Sequence, residues 1–289
     1  MKNLVQLLFI SIALGSCGSN REVAQTEVVT PKVKEVTTDT IIVVAPPATV
    51  KEAKIVTEDV DTTNQNYVEI NPQRVEIFNH TAWDLLLKDH VSPSGRVNYE
   101  GFRVNKGLLR DYIASLGANM PTEKWTNEDK LAYWMNAYNA MTVDLILRNL
   151  PLQSIKDIDK PWDQRLWKLG AKWYNLDEIE HQILRKMGDA RIHFGINCAS
   201  FSCPPLLNEA FTAYDVDVQL DLLARQFIND PKRNKISENS LQLSKLFSWF
   251  AKDFKTNGTL IDFLSIYSEK NIDPKARKSF MTYDWSLNN

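Results

Sequence analysis

The chain has 289 residues, 34 Lys and Arg against 36 Asp and Glu, and a formal net charge of −2, which excludes bulk attraction to nucleic acid as its way of working. Hydrophobic residues make up 44% and include 8 Trp, a composition that builds one sizeable core but not a membrane-spanning bundle. Its 3 Cys are too few for a disulfide scaffold or a four-thiolate zinc site.

Residues 1–16 read as a secretory signal: Lys2, an apolar run over 4–14, then small residues. The run is too short to span a bilayer. Its end, Leu14-Gly15-Ser16-Cys17, resembles a bacterial lipobox, which predicts cleavage before Cys17, lipidation of its thiol and a chain anchored to the cell envelope outside the cytoplasm. The alternative is an ordinary signal peptide that happens to end near a Cys. Residues 21–66 contain no Leu, Met, Phe, Trp or Tyr and bury too little area to offset their ordering entropy, so 17–72 is expected to be the lipidated Cys and a flexible tether. All Trp lie beyond residue 82, which places a single domain over 73–289.

Within that domain helices are expected over 82–90 and 108–116. Thr126 and Asp129 form a capping pair before LAYWMNAYNAMTVDLIL, whose apolar face runs on until Pro151. Lys168 to Tyr174 reads as a hairpin about Gly170. Asn175 with Glu178 opens a helix that Gly188 closes. The alternation of Ile192, Phe194 and Ile196 against Arg191, His193 and Asn197 predicts a strand over 191–197. Helical spacing returns at Val216, Leu220, Leu223 and Phe227, stopped by Asp230-Pro231, then a hairpin about Asn239-Ser240 and helices over 245–254 and 260–268. The balance is α+β and helix-rich, with a small antiparallel sheet.

Chemistry concentrates in RIHFGINCASFSCPPL, residues 191–206, where an imidazole and two thiols share one expected strand and its exit loop. Four readings fit it. Cys198 or Cys203 is a nucleophile with His193 as base; an extended chain over five residues covers about 16 Å, so His193 reaches Cys198 only if the chain turns back after Asn197. Cys203 reaches the strand more easily, through a return over 199–202, and a helix opening at Pro204-Pro205 would lower its pKa. Alternatively the two cysteines are bonded to each other, as an oxidising compartment favours. A zinc site of His193, Cys198, Cys203 and His181 matches no standard spacing, and inert core thiols are the fourth reading. Asn136 and Asn139 share a face of an otherwise apolar helix, and tie it to a loop or orient an imidazole. Glu180 is a buried acid or part of a charged surface. Exposed aromatics offer a sugar or peptide platform, or simply core. No metal is expected, and no glycine-rich phosphate loop calls for a nucleotide, haem or flavin cofactor.

The segments LAYWMNAYNA, SIKDI, LDEIEHQILR, RIHFGINCASFSCPPL, LFSWFAKDF and YDWSLN together resemble the family called domain of unknown function 547, over nearly all of 78–289. The resemblance implies an extracytoplasmic bacterial protein and no settled activity. A distant similarity to the papain and transglutaminase superfold implies an α+β fold using Cys, His and Asn or Asp, in a permuted order here because His193 precedes both cysteines and the early helix offers Asn136 in place of Cys. The resulting expectation is a membrane-anchored thiol-dependent hydrolase or acyltransferase acting on peptide-like amides. In it Cys198 or Cys203 attacks, His193 takes the proton and Asn136 or Glu180 orients the imidazole. The alternative is a non-catalytic envelope binding or scaffold module with a Cys198–Cys203 disulfide. Its partners are the membrane, through the N-terminal lipid, and a peptide or other envelope ligand, with no nucleic acid.

Overall fold

A computed structural model describes residues 77–289; the expected signal (1–16), Cys17 and the tether (17–72) lie outside the described residues. The fold is α+β, as expected, and is organised around one long helix. Thr126 caps α4 (Asn127–Asn149): its hydroxyl accepts from the Asp129 N–H at 3.2 Å, and the Asp129 carboxylate accepts from the Thr126 N–H at 3.1 Å. From Leu131 to Ile146 every residue is buried, so this helix is core on all sides and its polar residues must find partners inside. Asp144, fully buried, accepts from Arg110 Nε at 3.0 Å, Arg148 Nε at 2.6 Å and Trp167 Nε1 at 2.8 Å. Leaving that carboxylate without these partners would cost several kcal/mol.

Around α4 pack α2 (Tyr99–Val104), α3 (Lys106–Ala118) and α7 (Val216–Asn229), with α1 (Thr81–His90) against α2 and α3. The expected hairpin at Gly170 is present as β1 (Trp167–Leu169) and β2 (Lys172–Tyr174), and Gly170 supplies the positive φ of its turn. β3 (Lys235–Ser237) pairs antiparallel with β4 (Ser240–Leu243), Ile236 opposite Leu241. The sheet is not purely antiparallel, however: β5 (Arg277–Phe280) joins β4 in parallel, Leu241 opposite Lys278. Every residue of β5 is exposed, so no apolar alternation announces it.

Two further expectations are corrected. Residues 191–197 form no strand; α6 (Ile192–Gly195) is a single helical turn. Ile192, His193, Phe194, Gly195 and Ile196 are all buried, so the alternation marks no solvent face and periodicity cannot separate helix from strand. Gly195 lies so close to α4 that a Cβ would meet Met135 Cε at 2.1 Å. The helix over 245–254 is broken into α8 (Leu246–Trp249) and a 3-10 turn, Asp253–Lys255. The last long helix, α9 (Leu260–Tyr267), carries its own capping box, Thr259 with Asp262.

Candidate functional site

Of the chain segments that line one cavity of about 350 Å³, three shape its chemistry. The first is the helical run after Asn175, whose Oδ1 accepts from the Glu178 N–H at 2.9 Å. It begins as α5 (Leu176–Glu178), widens to a π turn over Ile179–Ile183, tightens over Leu184–Met187, and ends at Gly188 with φ +85°. Single π turns inside helices recur at functional sites, and this one carries Glu180 and His181, both on the cavity wall.

The second piece is the cysteine loop. Asn139 clamps it to α4: its Nδ2 donates to the Gly195 carbonyl and its Oδ1 accepts from the Asn197 N–H, each at 2.9 Å. Asn197 continues the scaffold, accepting from the Ala199 N–H at 2.8 Å and donating to the Pro204 carbonyl at 2.7 Å. Ala199 takes a left-handed φ of +60°, and the Cys203 N–H donates to the Ser200 carbonyl at 3.1 Å. The chain therefore turns back after Asn197 and brings Cys203 Sγ to 3.0 Å from Cys198 Sγ, both as free thiols. No helix opens at Pro204-Pro205, so no helix terminus lowers the Cys203 pKa.

The third piece is the C-terminal segment, pinned to that loop where Phe201 N–H donates to the Ser286 carbonyl at 2.7 Å and Ser202 N–H to the Asp284 carbonyl at 3.2 Å. It places the Tyr283 hydroxyl 2.8 Å from Ser200 Oγ and 3.4 Å from Cys198 Sγ, with Ser200 Oγ itself 3.1 Å from that sulfur. Trp285, Trp249 and Tyr283 form an aromatic cluster at the cavity, ring centroids 4.5 to 5.7 Å apart.

The two thiols are electrostatically unlike. Hydrogen bonds from the Cys203 thiol and from the Ser200 and Tyr283 hydroxyls hold the half-buried Cys198 below the ordinary thiol range despite burial. Burial pushes Cys203, 5% exposed, well up, so it keeps its proton and donates it to its neighbour. Burial likewise pushes Glu180 up to about 7, although His181 and the Tyr138 hydroxyl, 3.0 Å away, favour its charged form. The cavity thus shifts one thiol toward its ionised form and one carboxyl toward its protonated form.

The imidazoles play separate parts. His193 is buried, stacked on Phe250 at 3.8 Å, with Nε2 2.8 Å from Asp253 Oδ2. Arg185 grips Asp253 with two hydrogen bonds, 2.6 and 2.8 Å, and holds it ionised, well below the usual carboxylate range. An ionised carboxylate only accepts, so the Nε2 carries the proton; burial lowers the imidazole pKa and keeps it neutral, and Nδ1 is left buried without a partner. His181 has no such free nitrogen: Arg185 donates to its Nδ1 at 3.0 Å and its Nε2 faces Asp177 at 3.5 Å.

Cys198, Cys203, His193, His181 and Glu180 therefore line one cavity, but neither imidazole hydrogen-bonds to a thiol. Asn136 lies elsewhere: its amide exchanges two hydrogen bonds with the Phe211 backbone, 2.8 and 3.0 Å, and ties α4 to that loop. The residue that orients His193 is Asp253, in place of the expected Asn136 or Glu180. Tyr138, Ser200, Asp253 and Tyr283 carry no signature of residue type or spacing, although all four fall within motif segments of the sequence. Among the described residues no group of three or more His, Cys, Asp or Glu is placed to hold a metal ion, and no helix is long and apolar enough to cross a membrane.

A family described as protein of unknown function, DUF547, has a model that matches residues 122–228. That span holds α4, the π turn, the cysteine loop and nearly all of α7, and stops short of Asp253 and Tyr283. No curated protein and no solved structure matches the chain, so the likeness to the papain and transglutaminase superfold has no support from them.

Proposed function

We propose that the domain is a thiol-dependent hydrolase or acyltransferase acting on peptide-like amides, with Cys198 as nucleophile, held to a bacterial membrane outside the cytoplasm by a lipid on Cys17. The observation that carries the reading is the free Cys198 thiol: three side-chain donors lower its pKa, and it opens on an aromatic cavity that also contains a carboxyl raised to about 7. The Leu-Gly-Ser-Cys sequence ending at Cys17 supports the anchor.

The chemistry divides among these groups. The Cys198 thiolate attacks the carbonyl carbon, forming a C–S bond and placing negative charge on the carbonyl oxygen. Collapse of that intermediate expels the amine, which needs a proton; Glu180, protonated to a substantial extent at neutrality, supplies it. Water or an acceptor amine then attacks the thioester carbon, the Glu180 carboxylate takes back a proton from it, directly or by way of His193 Nδ1, and the C–S bond breaks to return the Cys198 thiolate. Asp253 is a positioning residue: its bond to Nε2 fixes the tautomer that leaves Nδ1 as the base.

Incubating the reduced protein with an acyl nitrophenyl ester tests the reading, with peptide mapping of the adduct. The expected result is one acyl group on Cys198 that is released faster when a primary amine is added, with none in Cys198→Ala. Absence of an adduct, or an adduct on Cys203 alone, overturns the nucleophile and leaves the envelope binding module.

A further inference from the structure

We propose that Cys198 and Cys203 are a redox-active pair: a disulfide-bearing co-reactant oxidises them to an intramolecular disulfide through Cys198, and a thiol reductant restores them. The two sulfurs are 3.0 Å apart, and closing to a bond length of about 2.05 Å requires a shift of about 1 Å within a turn that already folds one residue onto the other. Their exposures differ in the sense such a pair requires. Both line the cavity, but Cys198 is half-buried and the more open to an incoming disulfide, whereas Cys203 is only 5% exposed and its sulfur is held by the Cys198 thiol and the Cys198 backbone N–H, each at 3.0 Å. The lowered Cys198 pKa and raised Cys203 pKa point the same way, toward an attacking thiolate and a proton-bearing resolving thiol.

The steps balance. The Cys198 thiolate attacks one sulfur of R–S–S–R, forming a Cys198–S–S–R bond as the original S–S bond breaks and one RS⁻ leaves. Cys203 gives its proton to that departing thiolate, and its sulfur attacks the Cys198 sulfur. The Cys198–Cys203 bond forms, and the second RS⁻ departs to be protonated by water. The dithiol has lost two electrons and the co-reactant has gained them.

If the nucleophile reading above holds, oxidation removes the attacking sulfur and switches acyl transfer off. It also protects that sulfur: a low-pKa thiolate with no resolving partner proceeds to the irreversible sulfinic and sulfonic acids, whereas one beside a second thiol is captured as a disulfide. A second thiol beside Cys198 therefore has a use that does not require it to attack substrate itself.

The experiment equilibrates the reduced full chain, without oxygen, in a series of glutathione to glutathione disulfide ratios, quenches with acid, alkylates and maps peptides. The expected result is a mid-series transition in which the chain loses two hydrogens, Cys198 and Cys203 become linked, both escape alkylation, and dithiothreitol reverses the change. Cys203→Ser is expected to stop at a glutathione adduct on Cys198, and Cys198→Ser to form none at Cys203. A wild-type chain that stays reduced at the most oxidising ratio, or that accumulates an unresolved adduct on Cys198, overturns the proposal. Mass, not turnover, is the readout, so the two readings fail separately. A reversible link without an acyl adduct removes only the acyl-transfer reading, and an acyl adduct without a link removes only the redox pair.

Discussion

Replacing Glu180 by Gln separates the electrostatic cost of the cavity from its packing. Glu180 is 7% exposed, and its carboxyl sits at about 7 against an ordinary 4.5, chiefly through burial. At about 1.4 kcal/mol per pKa unit, carrying the ionised form inside the fold costs on the order of 3 kcal/mol. The sign follows from the direction of the shift. A carboxyl whose folded pKa is raised costs nothing below its unfolded pKa, and stability is lost as pH rises from 4.5 through about 7. Gln keeps the shape and leaves an acceptor for the Tyr138 hydroxyl, so Glu180→Gln and the wild type should be nearly equal in stability at pH 4.5. Near pH 8 the variant should be more stable by on the order of 3 kcal/mol, or about 6–12 °C in Tm. Urea unfolding of both proteins across that range measures the difference, and the ester assay should show slowed turnover in the stabilised variant. A difference that does not change with pH would mean that the carboxyl is not held protonated by its surroundings.

Other expectations follow from single contacts. Tyr283→Phe removes one donor to the Cys198 sulfur, a long one at 3.4 Å; at about 1.5 kcal/mol for a weak bond to a charged group, the thiol pKa should rise by about one unit, read from the pH profile of alkylation. Asn136→Ala strands a buried N–H and carbonyl of Phe211 and should cost about 2–4 kcal/mol in urea unfolding while leaving the Cys198 alkylation rate of the folded protein unchanged. Gly95→Ala sets a Cβ 2.3 Å from the Pro205 side chain and 2.8 Å from its Cα, at a φ of +76°, and should lose about 2–4 kcal/mol by thermal unfolding.

The sequence was most legible where local chemistry decides the outcome. The caps at Thr126 and Asn175, the turn at Gly170 and the stop at Gly188 are set by residues within a few positions of one another, and each is present. Residues 192–197 are all buried, so the apolar alternation across 191–197 carries no directional information. Both thiols, His193 and Glu180 line one cavity. The partners that determine their chemistry lie far along the chain. Asp253 is 60 residues from His193, and Tyr283 is 85 from Cys198. An Asp and a Tyr at such separation have no spacing signature, and only the folded chain pairs them. Asn136 was ambiguous for the opposite reason: a buried amide on an apolar helix announces that it has a partner but not which one.

The pH dependence of iodoacetamide alkylation of the reduced chain, with peptide mapping to assign each label, reads the ionisation of the Cys198 sulfur itself. Cys198 should react with a midpoint well below the ordinary thiol range of about 8.5, while Cys203 should stay unlabelled until strongly alkaline pH. Equal labelling of the two thiols, or a Cys198 midpoint at the ordinary value, would contradict it.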